Sequence, residues 1–234
     1  KWCFFICYIV FQSNKEFITF YFENNFLYFI LIFTFITFLG FVDDIIGGLH
    51  YIFKLYFLIF AVFLLLLIFN FLLIDDAKNQ FINLILSNIF FSYLISAIII
   101  LGFINASNLA DGANGILSGI AVIFFYIIYS ETQYVIFEGI FMIMLIFFIY
   151  NILLSKIFLG DSGSYLIGFL ISSTSLLFYN NYLLSAGLLA TALSYPCLEI
   201  SFTIIRRFNL KRNPLKPDNK HLHNIVYNLL KKEI

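Results

Sequence analysis

Residues 51–74 read YIFKLYFLIFAVFLLLLIFNFLLI, a stretch in which Lys54 is the single charge. A helix that crosses a bilayer needs about 20 mostly apolar residues. Comparable stretches recur at 26–42, 81–104, 116–130, 134–155, 163–178 and 182–205. Those at 116–130 and 163–178 are short and must draw on their flanks. With 62% of its 234 residues hydrophobic and 11% charged, the chain has too much apolar surface for a water-soluble core of this size. The expected fold class is all-α, a polytopic transmembrane helical bundle with about seven to eight spans and functional loops on the cytoplasmic side. The eighth would come from the apolar run between Lys1 and Phe11, read as part of a transmembrane helix in a longer chain. Residues 1–205 form the transmembrane domain. Residues 206–234 form a basic cytoplasmic tail of the same functional unit.

Charge position says more than charge sum. The 13 basic and 13 acidic residues cancel, which argues against nucleic acid as a partner by bulk electrostatics. Short connections let the loops be assigned to sides by parity. One set (43–50, 105–115, 156–162 and 206–234, with Lys54 at its edge) carries Lys156, Arg206, Arg207, Lys211, Arg212, Lys216, Lys220, Lys231 and Lys232. The other set (12–25, 75–80, 131–133 and 179–181) carries Lys15 and Lys78. The excess of Lys and Arg marks the first set as cytoplasmic. Cys3, Cys7 and Cys197 form no CxxC pair and read as free packing thiols.

The patterned polar residues fall on the same side. Phe38 to Gly48 reads FLGFVDDIIGG, placing Asp43 and Asp44 at a helix end among glycines. Such a pair is costly at a membrane unless water, a cation or a metal compensates it. Lys54, one to two turns into the next span, can reach back to the same mouth or simply snorkel. Ile104 to Gly119 reads INASNLADGANGILSG, in which Asn105, Asn108 and Asp111 follow at three-residue spacing on one helix face. Amides with a carboxylate suit a nucleobase, a sugar or a metal-bound phosphate. Phe158 to Gly168 reads FLGDSGSYLIG, with Asp161 at the start of a span, as an N-cap or a holder of a Mg²⁺-phosphate pair. Pro214 to Asn224 reads PLKPDNKHLHN, where His221 and His223 sit in a basic segment suited to anionic groups. Glu138 and Glu199 lie inside spans, and Glu199 is placed to pair with Arg206 or Arg207.

Taken together, GFVDD (Gly40 to Asp44), NASNLADGANG (Asn105 to Gly115), LGDSGS (Leu159 to Ser164) and KPDNKHLHN (Lys216 to Asn224) resemble the polyprenyl-phosphate N-acetylhexosamine-1-phosphate transferase family, of the glycosyltransferase family 4 type. Four motifs stand in the family's order over residues 39–224. The resemblance implies transfer of a sugar-1-phosphate from a UDP-sugar donor to undecaprenyl phosphate, with release of UMP, at the cytoplasmic face of a bacterial inner membrane. It implies Mg²⁺, with Mn²⁺ as a substitute, and admits a homodimer. By the family pattern Asp43, Asp44, Asp111, His221 and His223 are catalytic, Asp161 and Asp44 bind metal, and Lys54, Asn105 and Asn108 bind substrate. Asn224 stands where the commonest form of the histidine motif has a further His. That favours the sugar-transferase branch over the peptidoglycan translocase branch.

The physics of such a reaction suits these residues. Two phosphates must be brought together, so neutralisation and alignment matter more than a strong nucleophile. The alternative class is a secondary transporter or channel with acidic ion sites, which calls for polar residues and broken helices near mid-bilayer. Here the patterned residues gather at one face.

Overall fold

The computed structural model describes residues 25–154, 159–181 and 183–211. Among the described residues there are helices and turns and no strand. Helices α1 (Phe26–Ile46) and α2 (Tyr51–Ile68) open the chain. Next come α3 (Gln80–Leu86), α4 (Ile89–Ala110), α5 (Ile116–Thr132), α6 (Val135–Leu154), α7 (Gly160–Asn180), α8 (Ala186–Ala192) and α9 (Ser194–Asn209). Five of them, α1, α2, α4, α6 and α7, are long and apolar enough to cross a membrane. A sixth span results if α8 and α9 count as one, and α5 is apolar but 17 residues long. Each of the seven expected stretches from 26 to 205 is therefore helical over most of its described residues, five or six of them as full-length spans, and the expected run between Lys1 and Phe11 lies outside the described residues.

Local chemistry explains the differences. The stretch 81–104 was expected as one span, but the chain breaks at Ser87 and Asn88. The Asn79 side chain caps α3 by accepting from Phe81 and Ile82 N–H, and Asn88 caps α4 by accepting from Phe90 N–H. The stretch 51–74 ends its helix at Ile68, followed by a single 3₁₀ turn over Asn70–Leu72. Irregular backbone at membrane depth must find partners within the protein. Ile74 N–H donates to Ser96 Oγ at 2.9 Å, and the Ser92 hydroxyl donates to Ile74 O. Asn180 Nδ2 donates to Phe71 O at 2.8 Å and to Leu73 O at 2.9 Å. At the last stretch, α8 and α9 meet at 71°. Pro196 falls in the first turn of α9, where its missing N–H breaks no helical bond. Helix α9 also runs through Asn209, so Arg206 and Arg207 close a helix and complement its dipole instead of opening a loop.

The inner helix is α7. Buried residues make up 72% of its most apolar 18-residue window, against 11% for α6. Its interior carries Ser172, Ser173, Thr174 and Ser175, all buried. The Ser172 hydroxyl donates to Gly168 O at 2.8 Å and the Ser173 hydroxyl to Phe169 O at 2.7 Å, so these donors are satisfied within the helix. Two glycines bring neighbours up to α7. A Cβ on Gly40 of α1 would lie 2.5 Å from Ser162 Cα, and one on Gly168 would lie 2.8 Å from Ile104 Cα of α4. Small residues at such crossings let helices in membranes approach backbone to backbone.

The contacts sort the loops as parity does. Lys78 lies over the Tyr179 ring at 5.3 Å, tying the loop after α2 to the end of α7. The start of α7 meets the end of α1 at the other end of the bundle.

Candidate active site

The site is built where the end of α1, the start of α2 and the start of α7 come together. Helix α1 stops because Gly47 takes the left-handed conformation (φ 75°), and the N–H groups of Gly47 and Gly48 both reach Asp43 O at 3.1 Å. The chain then turns at once into α2, with His50 stacked on Tyr51 at its start. This short return is what carries Lys54 back to the acids.

Asp43 is buried, and its carboxylate accepts from Leu49 N–H and forms an ion pair with Lys54 Nζ. Lys54 Nζ also lies 3.2 Å from Asp161 Oδ2, on the first turn of α7. One ammonium thus bridges two carboxylates from helices more than a hundred residues apart. Asp44, the neighbour of Asp43, points elsewhere. Its Oδ1 accepts from Asp161 N–H at 2.9 Å and its Oδ2 from Ser162 N–H at 3.2 Å. The Asp44 carboxylate therefore caps α7 from outside that helix. Gly160 (φ 65°) makes room for it, since a Cβ there would meet Asp44 Oδ2 at 2.7 Å.

Asp111 closes α4, its N–H donating to Ser107 O at 3.0 Å. Burial, and then the negative charges of Asp161 and Asp44, push its carboxyl up to about 7. Four carboxylates thus share one neighbourhood with one lysine. Asn108 reaches the hydroxyl of the buried Tyr165, which also feels the charges of Lys54 and Asp161. Asn105, six residues before Asp111, donates through Nδ2 to Leu101 O of its own helix at 2.7 Å. His221 and His223 lie outside the described residues.

Sequence reasoning missed two residues here. Asn151, buried near the end of α6, accepts from Gly115 N–H at 2.5 Å and anchors the loop that follows Asp111. A lone Asn inside an apolar span was the available signal. Tyr165 is the other, one turn after Asp161, and nothing in its local pattern separates it from a packing aromatic. Glu199 is fully buried, with the Tyr195 hydroxyl donating to its Oε2 at 3.3 Å.

For a metal, no group of three or more His, Cys, Asp or Glu side chains is arranged to hold one among the described residues. Mg²⁺ does not require such a cage, since it commonly binds through one or two carboxylates, water and substrate phosphates. Asp43 and Asp161 fit that requirement, because their Oδ2 atoms already converge on one cationic group. Asp44, expected as a metal ligand, has both oxygens turned to the α7 backbone.

The fold and site define a helical membrane protein with a cluster of acids and a lysine at one end of its bundle. Residues 26–179 match the model of glycosyl transferase family 4, and the chain belongs to that family. It is 36% identical over 124 residues to an undecaprenyl-phosphate alpha-N-acetylglucosaminyl 1-phosphate transferase of Thermotoga maritima, covering 53% of this chain and 39% of the relative. It is 33% identical over 141 residues to a probable undecaprenyl-phosphate N-acetylglucosaminyl 1-phosphate transferase of Bacillus subtilis, covering 56% and 39%. A phospho-N-acetylmuramoyl-pentapeptide-transferase of Lactiplantibacillus plantarum is 38% identical over 96 residues, covering 38% and 30%. The matched region spans about two fifths of the length of the first two relatives. No solved structure gives a significant match.

Proposed function

We propose that this protein transfers a sugar-1-phosphate, of the N-acetylhexosamine class, from a UDP-sugar to a polyprenyl phosphate such as undecaprenyl phosphate, releasing UMP. The observation that carries this reading is the convergence of Asp43, Asp161 and Lys54 at one end of the bundle, with Asp44 and Asp111 beside them. The names of the matched relatives support the same chemistry. The lopsided Lys and Arg distribution supports a cytoplasmic site in a bacterial inner membrane.

Each residue has a task in this reading. Asp43 and Asp161 hold Mg²⁺, or Mn²⁺ in its place, which when bound neutralises phosphate charge and aligns donor and acceptor. Asp44 fixes the start of α7, and therefore the Asp161 carboxylate, against α1. Lys54 pairs with a phosphate oxygen. Asn108, oriented by Tyr165, faces the donor side with Asp111. His221 and His223 belong to the basic segment that receives the diphosphate. In this reading an oxygen of the lipid phosphate attacks the β-phosphorus of the UDP-sugar as the bond from that phosphorus to the UMP oxygen breaks, and the exposed apolar faces of α1 and α2 leave room for the polyprenyl chain beside the acids.

The test is a membrane assay with undecaprenyl phosphate and a panel of UDP-sugars, following UMP release with and without Mg²⁺. UMP release that needs both lipid phosphate and metal supports the reading. Its absence with every donor overturns it.

A further inference from the structure

We propose that Lys54 occupies the place of the divalent cation while the site is metal-free, and passes to a substrate phosphate when the cation binds. This rests on the transferase reading and adds to it an order of events. The Lys54 ammonium touches Asp43 Oδ2 and lies 3.2 Å from Asp161 Oδ2, the two oxygens best placed for a metal. Without a cation between them, two carboxylates from α1 and α7 would repel each other at a partly desolvated position. Lys54 relieves that repulsion and keeps the site assembled.

A divalent ion and an ammonium cannot share the same pair of oxygens, because like charges at contact distance repel and both need the same lone pairs. With a metal held by both oxygens, Nζ would lose its two carboxylate partners. Lys54 sits on α2 on a flexible four-carbon stem and is half-buried, so its head can swing towards the mouth without moving the helix. Its charge then faces the phosphates that the metal also recruits. No covalent bond changes. One cation replaces another at Asp43 and Asp161, and the displaced one pairs with a phosphate oxygen. By linkage, phosphate and metal strengthen each other's binding through this exchange.

The experiment is Mn²⁺ binding, read by the electron paramagnetic resonance signal of free Mn²⁺, to the protein in phosphatidylcholine nanodiscs. Lys54→Met should bind Mn²⁺ about tenfold more tightly than the unaltered protein. Lys78→Met, which removes a lysine at the opposite end, should bind as the unaltered protein does. UMP should tighten Mn²⁺ binding more in the unaltered protein than in Lys54→Met. Equal or weaker Mn²⁺ binding by Lys54→Met, or an equal gain in Lys78→Met, would overturn the proposal.

A second measurement needs no variant. Acylation of Lys54 by an amine-reactive reagent, read by mass spectrometry, should rise severalfold when Mn²⁺ is added, and unchanged or lower labelling would overturn the exchange. Tighter Mn²⁺ binding by Lys54→Met, together with no UMP release from any donor by the unaltered protein, would support the exchange and overturn the transferase reading, so the two fail separately.

Discussion

Asp44 Oδ1 accepts a hydrogen bond from the backbone N–H of Asp161 at 2.9 Å. A carboxylate from the end of α1 thereby caps α7, and the paired acids divide their work. Asp43 faces the lysine, and Asp44 holds the helix that presents Asp161. Replacing Asp44 with Ala should cost about 1–2 kcal/mol, as losses of side-chain caps do. Thermal unfolding in detergent should show a decrease of roughly 2–6 °C. Asn at this position, which keeps one acceptor oxygen, should fall between the two. An unchanged melting temperature in Asp44→Ala would remove the capping role.

Gly40 sets how closely α1 approaches α7. A Cβ there would lie 2.6 Å from both the carbonyl carbon and the oxygen of Asp161, which are backbone atoms and cannot swing aside. Gly40→Ala should push α1 away and separate Asp43 from the Asp161 side. The expected loss in UMP release is about 100-fold, the scale of a misplacement near 1 Å. Gly102→Ala, where nothing lies within 4 Å of the added carbon, should be silent. Equal rates for both variants would show that the close crossing does not position the site.

Asp111 makes stability depend on pH in a stated direction. Its carboxyl is pushed up to about 7, first by burial and then by Asp161 and Asp44. A folded-state value above the unfolded one favours the fold at low pH, and this contribution fades as pH rises through about 7. Asp111→Asn cannot ionise. Its melting temperature should match the unaltered protein near about pH 4 and exceed it by roughly 2–4 °C near about pH 8.5. A difference independent of pH would contradict the assignment.

Asn151 holds the loop after Asp111 through its 2.5 Å bond from Gly115 N–H. Removing the acceptor leaves a backbone donor without that partner, which costs about 1–3 kcal/mol. Asn151→Ala should speed hydrogen exchange at the Gly115 amide by at least tenfold. Exchange at the unaltered rate would show the bond to be dispensable.

The sequence was most informative where physics acts over short range. Apolar stretches of bilayer length locate every described helix, and loop parity puts Asp43, Asp44, Lys54, Asp111 and Asp161 on one side. Lys54 reaches the acids because it lies one turn into α2, which is a local property. The split between Asp43 and Asp44 was not legible, since it depends on α7 arriving 117 residues later with free N–H groups. The break at Asn88 was hidden because hydropathy averages over a single capping residue. Asn105 and Asn108 share a spacing but not a partner, since Tyr165 lies beside Asn108 while Asn105 bonds back to Leu101. Hydroxyls that close on their own helix, such as Ser172 and Ser173, leave α7 less apolar than its neighbours yet most buried.

UMP release from a UDP-sugar and undecaprenyl phosphate, compared between Asp161→Asn and Asp75→Asn at matched protein levels, tests the placement of the chemistry most directly. Asp75 is exposed in the loop after α2, at the other end of the bundle. Asp161→Asn should lose activity by about 10³-fold, the scale of removing one electrostatic stabiliser from a site. Asp75→Asn should release UMP at the unaltered rate. Full activity in Asp161→Asn, or equal losses in both, would contradict a site built from Asp43, Lys54 and Asp161.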